Sequence, residues 1–424
     1  MKKVIVINNK VISNILYFQF FYVFFYAGLV DFFHIPSIIT YGIDVLNVIC
    51  FLFFLYSNNR KMIFLKSHIQ YIYIMAIIVF LGCILTAVVN LVNPLLVMWG
   101  VRNSLRYFPF FFSIIAFWSQ DRLEQITQFL IKFQVVNFII ILYQFFIKGY
   151  SQDLLGGIFG HTMGCNAALN MYLCIVVTLV IERFLRKKAS GMILAFTLLS
   201  WTFIAAAAEL KSAFLEIPVI ILLAIFLNKP SIRSFLIIIL AIIGLNIGLS
   251  LIVQYFPDWA HAFTDIQSLI SVGEKTGGGY NISRFGAFSD ITNLFFKDSV
   301  VNRIFGLGMG NCEYSSFSFL TSEFYREFGF LNYRWFSHQM WFLQCGYLGI
   351  IMLGIMIFML FIWVTKRKLK YRDEYGYGSF GQIFMLLMIV NFMYNASFIT
   401  EIGYMAFAAL ALPFVYYKNE IMSK

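Results

Sequence analysis

Two arginines, Arg102 and Arg106, stand four residues apart inside an otherwise apolar stretch, Trp99-Gly100-Val101-Arg102-Asn103-Ser104-Leu105-Arg106-Tyr107. Helical spacing puts both guanidiniums on one face, about 6 Å apart along the axis. A charged side chain near the middle of a bilayer costs at least about 2.5–3.5 kcal/mol on insertion scales. No acid stands at helical spacing to neutralise the pair, so it implies an anion from elsewhere. A diphosphate fits, because guanidinium forks grip phosphate oxygens two at a time. The alternative is a pair that reaches for the membrane surface or for helix-end carbonyls.

Other chemistry-bearing residues fall between apolar runs. Glu209 and Lys211 flank a short turn, Ala205-Ala206-Ala207-Ala208-Glu209-Leu210-Lys211-Ser212-Ala213, where four alanines allow close helix packing. The two charges either face a cavity or neutralise each other at the surface. Arg284 follows a glycine turn in Tyr280-Asn281-Ile282-Ser283-Arg284-Phe285-Gly286. Arg334 and His338 belong to Arg334-Trp335-Phe336-Ser337-His338-Gln339-Met340-Trp341, where a polar stretch gives way to an apolar one. An imidazole there can accept a proton near neutral pH, or it can cap a helix or bond a loop carbonyl. His161, in Gly156-Gly157-Ile158-Phe159-Gly160-His161-Thr162, has the same two readings. The chain holds no Walker motif, dinucleotide fingerprint, serine-hydrolase elbow or outer-face Asp-x-Asp, which argues against ATP-driven work and a metal-bound sugar nucleotide.

The elements that position these residues must be membrane helices. The chain is 61% hydrophobic and 12% charged, with a mean hydropathy of +0.82, too apolar for a water-soluble surface. A span needs about 20 apolar residues. Twelve candidates tile the chain at 11–30, 37–56, 69–91, 94–117, 123–147, 165–182, 190–208, 212–228, 234–256, 338–364, 379–397 and 400–417. Runs of this length exclude a barrel, whose strands are about ten residues and alternate. The expected fold is all-α: a polytopic bundle of about twelve helices forming a single membrane domain, 1–424.

Charge placement orients it. Lys2, Lys3, Lys10, Arg60, Lys61, Lys66, Arg122, Arg183, Arg186, Lys187, Lys188, Lys229, Arg233, a basic run from Lys366 to Arg372, and Lys418 and Lys424 all fall on one side. The connections around 31–36, 91–93, 149–164 and 398–400 hold no Lys or Arg. This asymmetry places both termini in the cytoplasm. The net charge of +11 is then an orientation signal, split among short loops, and argues against nucleic acid. Residues 257–337 form one large outer loop, with short amphipathic helices expected near 289–296 and 300–305 and glycine turns at 277–279 and 306–310. Trp259, Trp335 and Trp341 are expected as interfacial anchors. The six cysteines have no metal-site or disulfide spacing, and the two halves do not repeat.

In its order of motifs the chain resembles the bacterial O-antigen polymerase and O-antigen ligase superfamily, which includes capsular and exopolysaccharide polymerases. Phe305-Gly306-Leu307-Gly308-Met309-Gly310-Asn311 is similar to the family's glycine motif in the large loop. Ser337-His338-Gln339, followed by Gln344-Cys345-Gly346-Tyr347-Leu348-Gly349, is similar to its histidine segment and Gly-x-x-Gly. Leu210-Lys211-Ser212-Ala213 is similar to its Ser-Arg-small-Ala turn, with Leu for Ser and Lys for Arg. Arg284 takes the place of the loop arginine upstream of the glycine motif.

The resemblance implies a membrane glycosyltransferase of the bacterial cytoplasmic membrane that needs no metal or cofactor. An acceptor sugar hydroxyl attacks the anomeric carbon of a glycan held on polyprenyl diphosphate at the outer face. His338 and Arg284 are then the catalytic pair, with Arg102, Arg106, Lys211, Glu209, Arg334 and His161 as candidate substrate contacts. A chain-length regulator and a flippase of the same pathway are implied partners. The departures at Leu210 and Lys211 favour a polymerase, which adds to another lipid-linked repeat unit, over a ligase, which adds to a lipid core or wall polymer. A polyprenyl-glycan flippase is the alternative of another class; paired halves and no large outer loop would mark it.

Overall fold

The computed structural model describes residues 9–422 except 37, 58–59, 229 and 256–281. The chain is 80% helical and contains no strand among the described residues. Its helices are α1 (Asn9–Phe33), α2 (Ile39–Tyr56), α3 (Arg60–His68), α4 (Gln70–Val89), α5 (Pro94–Leu105), α6 (Tyr107–Phe117), α7 (Gln120–Leu142), α8 (Asn166–Leu185), α9 (Gly191–Ala207), α10 (Ala213–Leu227) and α11 (Ile232–Tyr255). After the large loop's short helices α12 (Ala287–Ile291), α13 (Val300–Phe305) and α14 (Glu323–Phe328) come α15 (Ser337–Lys370), α16 (Tyr377–Tyr394) and α17 (Ile402–Met422). Among the described residues, eight helices are long and apolar enough to cross a membrane: α1, α2, α4, α7 with its π-helical extension to Ile147, α8, α11, α15 and α16. The protein is a multi-pass membrane protein. Helices α6, α9 and α10 are apolar but shorter.

Burial separates centre from periphery. Helix α8 is buried over almost its whole length, and α17 from Gly403 to Lys418. Helices α1, α2, α4 and α11 bury only one stripe and turn the rest outward as Phe, Ile, Leu and Val. Such an outward apolar surface is what lipid requires and water does not tolerate. Aromatic side chains fill the centre: Tyr107, Phe110 and Phe111 of α6 interlock with Tyr404, Phe407 and Phe414 of α17.

The stretch 94–117, expected as one span, is two helices that meet at Arg106. Asn93 starts α5 by accepting from the Leu95 amide at 2.9 Å, with Pro94 in the first turn. Arg106 keeps helical dihedrals at the junction, so the four-residue spacing from Arg102 still brings both side chains to one side.

The described part of the large loop, 282–336, is clamped to α15. This helix breaks at Gly346, whose backbone (φ 55°, ψ −155°) is open to glycine and little else. The break frees the carbonyls of Leu343 and Gln344, which accept from the amides of Leu307 and Gly308 at 2.7 and 3.0 Å. A Cβ at Gly346 would lie 2.6 Å from the Arg303 carbonyl and the Gly306 nitrogen. The glycine motif is therefore the seam between loop and bundle. Helices at 287–291 and 300–305 occupy the places expected of them, the first running into a π-helical turn at Thr292–Phe296. Trp335 is exposed, but Trp341 is buried inside α15 rather than at an interface. Trp259 and the glycines at 277–279 lie outside the described residues.

Candidate functional site

Polar side chains gather at one end of the bundle in two groups. The first is built on Arg102 and Arg106. Arg102 Nε donates to Asp44 Oδ2 of α2 at 2.7 Å, Nη2 donates to the same oxygen, and Nη1 donates to Asn103 Oδ1 at 2.8 Å. Its guanidinium also lies over the rings of Tyr41 and Trp99, at 4.7 and 4.9 Å. Arg106 reaches Glu401 Oε1 at 3.0 Å and Asp44 Oδ2 at 3.9 Å. Tyr404 donates to Asp44, and Tyr107 to the Thr400 carbonyl. The expectation of two unpaired cations is thus corrected. Their acids come from other helices, which helical spacing within one segment does not reveal.

Glu313 joins this group from the large loop. It is buried and accepts from Asn103 Nδ2 at 2.8 Å and Gln344 Nε2 at 3.0 Å. Gln344 Oε1 in turn accepts from the Gly310 amide at 2.5 Å. Burial pushes the Glu313 carboxyl above its ordinary value, against the opposing pull of Arg334, Asn103, Gln344 and Arg102. Arg334 itself stacks over Tyr314 and Tyr325 at 5.3 and 5.7 Å.

The second group surrounds Arg284. Its guanidinium lies over the rings of Phe336 and Tyr394, at 4.4 and 4.0 Å. Its carbonyl is 2.9 Å from Nε2 of His338. A carbonyl only accepts, so Nε2 carries the proton, and Nδ1 is buried without a hydrogen-bond partner. His338 is buried against Phe288, Phe336 and Phe392. Gln339 holds the same loop through the carbonyls of Ile282 and Ser283, at 3.3 and 3.2 Å. Lys211 and Glu209 pair at 3.0 Å across their turn, where Glu209 adopts a left-handed backbone, φ 53°.

The connection 395–401 links the two groups. Tyr394 at one end faces Arg284, and Glu401 at the other faces Arg106. Ser337 fastens it to the start of α15, donating to the Asn395 carbonyl at 2.8 Å and accepting from the Phe398 amide at 3.0 Å.

Five cations (Arg102, Arg106, Lys211, Arg284, Arg334) therefore stand near four carboxylates (Asp44, Glu209, Glu313, Glu401). Among the described residues, Arg284 and Arg334 are the two of these cations with no carboxylate in ion-pair reach. The Nε of each is buried without a hydrogen-bond partner. Arg334 is still balanced in part by Glu313, which leaves Arg284 as the guanidinium that most favours an anionic ligand. Among the described residues, no group of three or more His, Cys, Asp or Glu side chains is arranged to hold a metal ion.

His161 belongs to neither group. Its Nδ1 lies 2.7 Å from Asp31 Oδ2, and its ring stacks on Phe32 and Tyr150 at 5.5 and 5.1 Å. The sequence reading missed Asp44, Glu313, Glu401 and Tyr394. Asp44 and Glu401 carried the signal that singled out Arg102, since each is an acid inside an expected apolar span.

At the opposite end, Arg183 bonds Glu124 at 2.5 and 2.9 Å, and Arg186 bridges Glu182 and Asp373 at 2.5 and 3.0 Å. These arginines, read as orientation charges, also lock α7, α8 and the connection before α16. No protein-family model matches the chain, and no curated protein matches it either.

Proposed function

We propose that this protein is a polysaccharide polymerase. It transfers a glycan from a polyprenyl diphosphate carrier to a second lipid-linked repeat unit at the outer face of the bacterial cytoplasmic membrane. Both termini then lie in the cytoplasm, and twelve passes follow if α5 and α6 count as one broken span and α9, α10 and α17 each cross. The arginine-rich end at Arg183 and Arg186 faces inward, and the end bearing Arg284 faces outward.

One observation carries the reading. Arg284 has no carboxylate in ion-pair reach among the described residues, lies over two rings, and is bonded through its own backbone to His338. The motifs that carry the family resemblance are far apart in sequence, yet those bearing Arg284 and His338 meet beside Phe336, and the glycine motif is bonded to the helix that carries His338.

In this account Arg284 and Lys211 hold the diphosphate. The acceptor oxygen bonds to the anomeric carbon as the bond from that carbon to the diphosphate oxygen breaks. The diphosphate leaves as an anion, and fixed cations need no reorganisation to receive it. The hydroxyl proton goes to Nδ1 of His338 or to water. Arg102 and Arg106, already balanced by Asp44 and Glu401, frame the acceptor side.

The test is the glycan profile of a deletion strain. Single-repeat products indicate a lost polymerase. Polymer retained on the carrier indicates a ligase, and carrier-linked units trapped inside indicate a flippase.

A further inference from the structure

We infer that the aromatic row beside Arg102 is a sugar-binding shelf for the acceptor glycan, an inference that rests on the transferase reading above. Phe319 and Phe317 are 67% and 38% exposed, with ring centres 5.8 Å apart. Phe317 is 6.2 Å from Tyr41, and Tyr41 is 5.9 Å from Trp99. Tyr41 and Trp99 cover the guanidinium of Arg102, which bonds Asp44; the side chains of Arg102 and Asp44 remain 21% and 12% exposed. Trp99 is held in place by donating Nε1–H to the Tyr314 carbonyl at 3.1 Å.

The chemistry selects one occupant. A row of aromatic rings, tilted by 39–65° from one to the next and ending at a hydrogen-bonding pair, matches a glycan, whose sugars have apolar C–H faces and hydroxyl rims. A hydrocarbon chain would cover Asp44 and Arg102 without replacing their water, which is costly. A phosphate gains little at Arg102, because Asp44 already neutralises it and would repel the ligand. Hydroxyls meet both partners, accepting from the guanidinium and donating to the carboxylate.

Phe317 meets Tyr41 and Phe319, while the Arg102–Asp44 bond and the Arg284–His338 bond are made by other side chains, so changing the two phenylalanines removes no partner of either bond. The experiment uses the full protein reconstituted in lipid with a lipid-linked repeat unit, comparing Phe317→Tyr, Phe317→Leu and the double change Phe317→Ala with Phe319→Ala. The Tyr variant is expected to match wild type. The Leu and double-Ala variants are expected to raise the half-saturating concentration of repeat unit roughly 2- to 10-fold, with turnover at saturation unchanged. A Leu variant as good as wild type would make the row a membrane anchor and overturn the shelf, as would unchanged half-saturation in the double variant. Wild-type protein that makes no polymer would overturn the transferase reading and the shelf with it.

Discussion

At the residue scale, the proposal gives the diphosphate to Arg284 and the proton to His338, while Arg102 and Arg106 are paired with Asp44 and Glu401. Arg284→Gln should abolish long polymer while the protein still inserts. Arg284→Lys should restore only part of it, because an ammonium offers neither the fork nor the planar group that lies over both Phe336 and Tyr394. His338→Ala should lower turnover by roughly 10²–10⁴-fold if Nδ1 accepts the proton; loss of folded protein at unchanged specific activity would leave it the role of bonding the Arg284 carbonyl. Arg106 has a different fate. Breaking its pair through Glu401→Gln should destabilise the protein by about 3 kcal/mol, the low end for buried pairs, since the Glu401 side chain is 28% exposed. Burial pushes the Glu401 carboxyl up, but Arg106, a backbone bond and Arg102 outweigh it, so it titrates below its ordinary value of 4.5. Its contribution is therefore present above pH 4.5 and lost as pH falls through the lowered value. Thermal unfolding of wild type and Glu401→Gln should converge on acidification; a constant gap would remove this pair from the acid response.

At the element scale, the break in α15 decides where the large loop sits. Gly346→Ala places a side chain against the Arg303 carbonyl in a glycine-only region. At a backbone cost alone of about 1–3 kcal/mol, it should release the loop to limited proteolysis; a loop as protected as in wild type would contradict the seam. Most helices were legible in the sequence because lipid demands long apolar runs, and the ends of α1, α2, α4 and α8 fall within a few residues of those expected. The break at Arg106 had its signal in Pro109, which has no amide to bond the Leu105 carbonyl and so belongs in the first turn of a new helix, but the expected span 94–117 ran across it. The partners of Arg102 and Arg106 were hidden. Asp44 and Glu401 are 58 and 295 residues from the arginines they bond, and only tertiary packing brings them together. His338 was visible as a candidate, but that its Nε2 is spent on the loop backbone was not.

At the scale of the whole molecule, the account places the Arg284 end outside and the Arg186 end inside. Single cysteines at exposed Phe285 and Arg372 test this readily, because the six native cysteines are all buried. Phe285→Cys should react with a membrane-impermeant reagent in intact cells and Arg372→Cys only after lysis; the reverse pattern would invert the topology. Orientation alone leaves the chemistry open. The most direct test of the central claim is polymer formation by purified protein in lipid, supplied with a lipid-linked repeat unit alone. Wild type is expected to lengthen the glycan and release polyprenyl diphosphate, and equally folded Arg284→Gln to do neither. Lengthening at the wild-type rate by Arg284→Gln, or none by wild type, would contradict it.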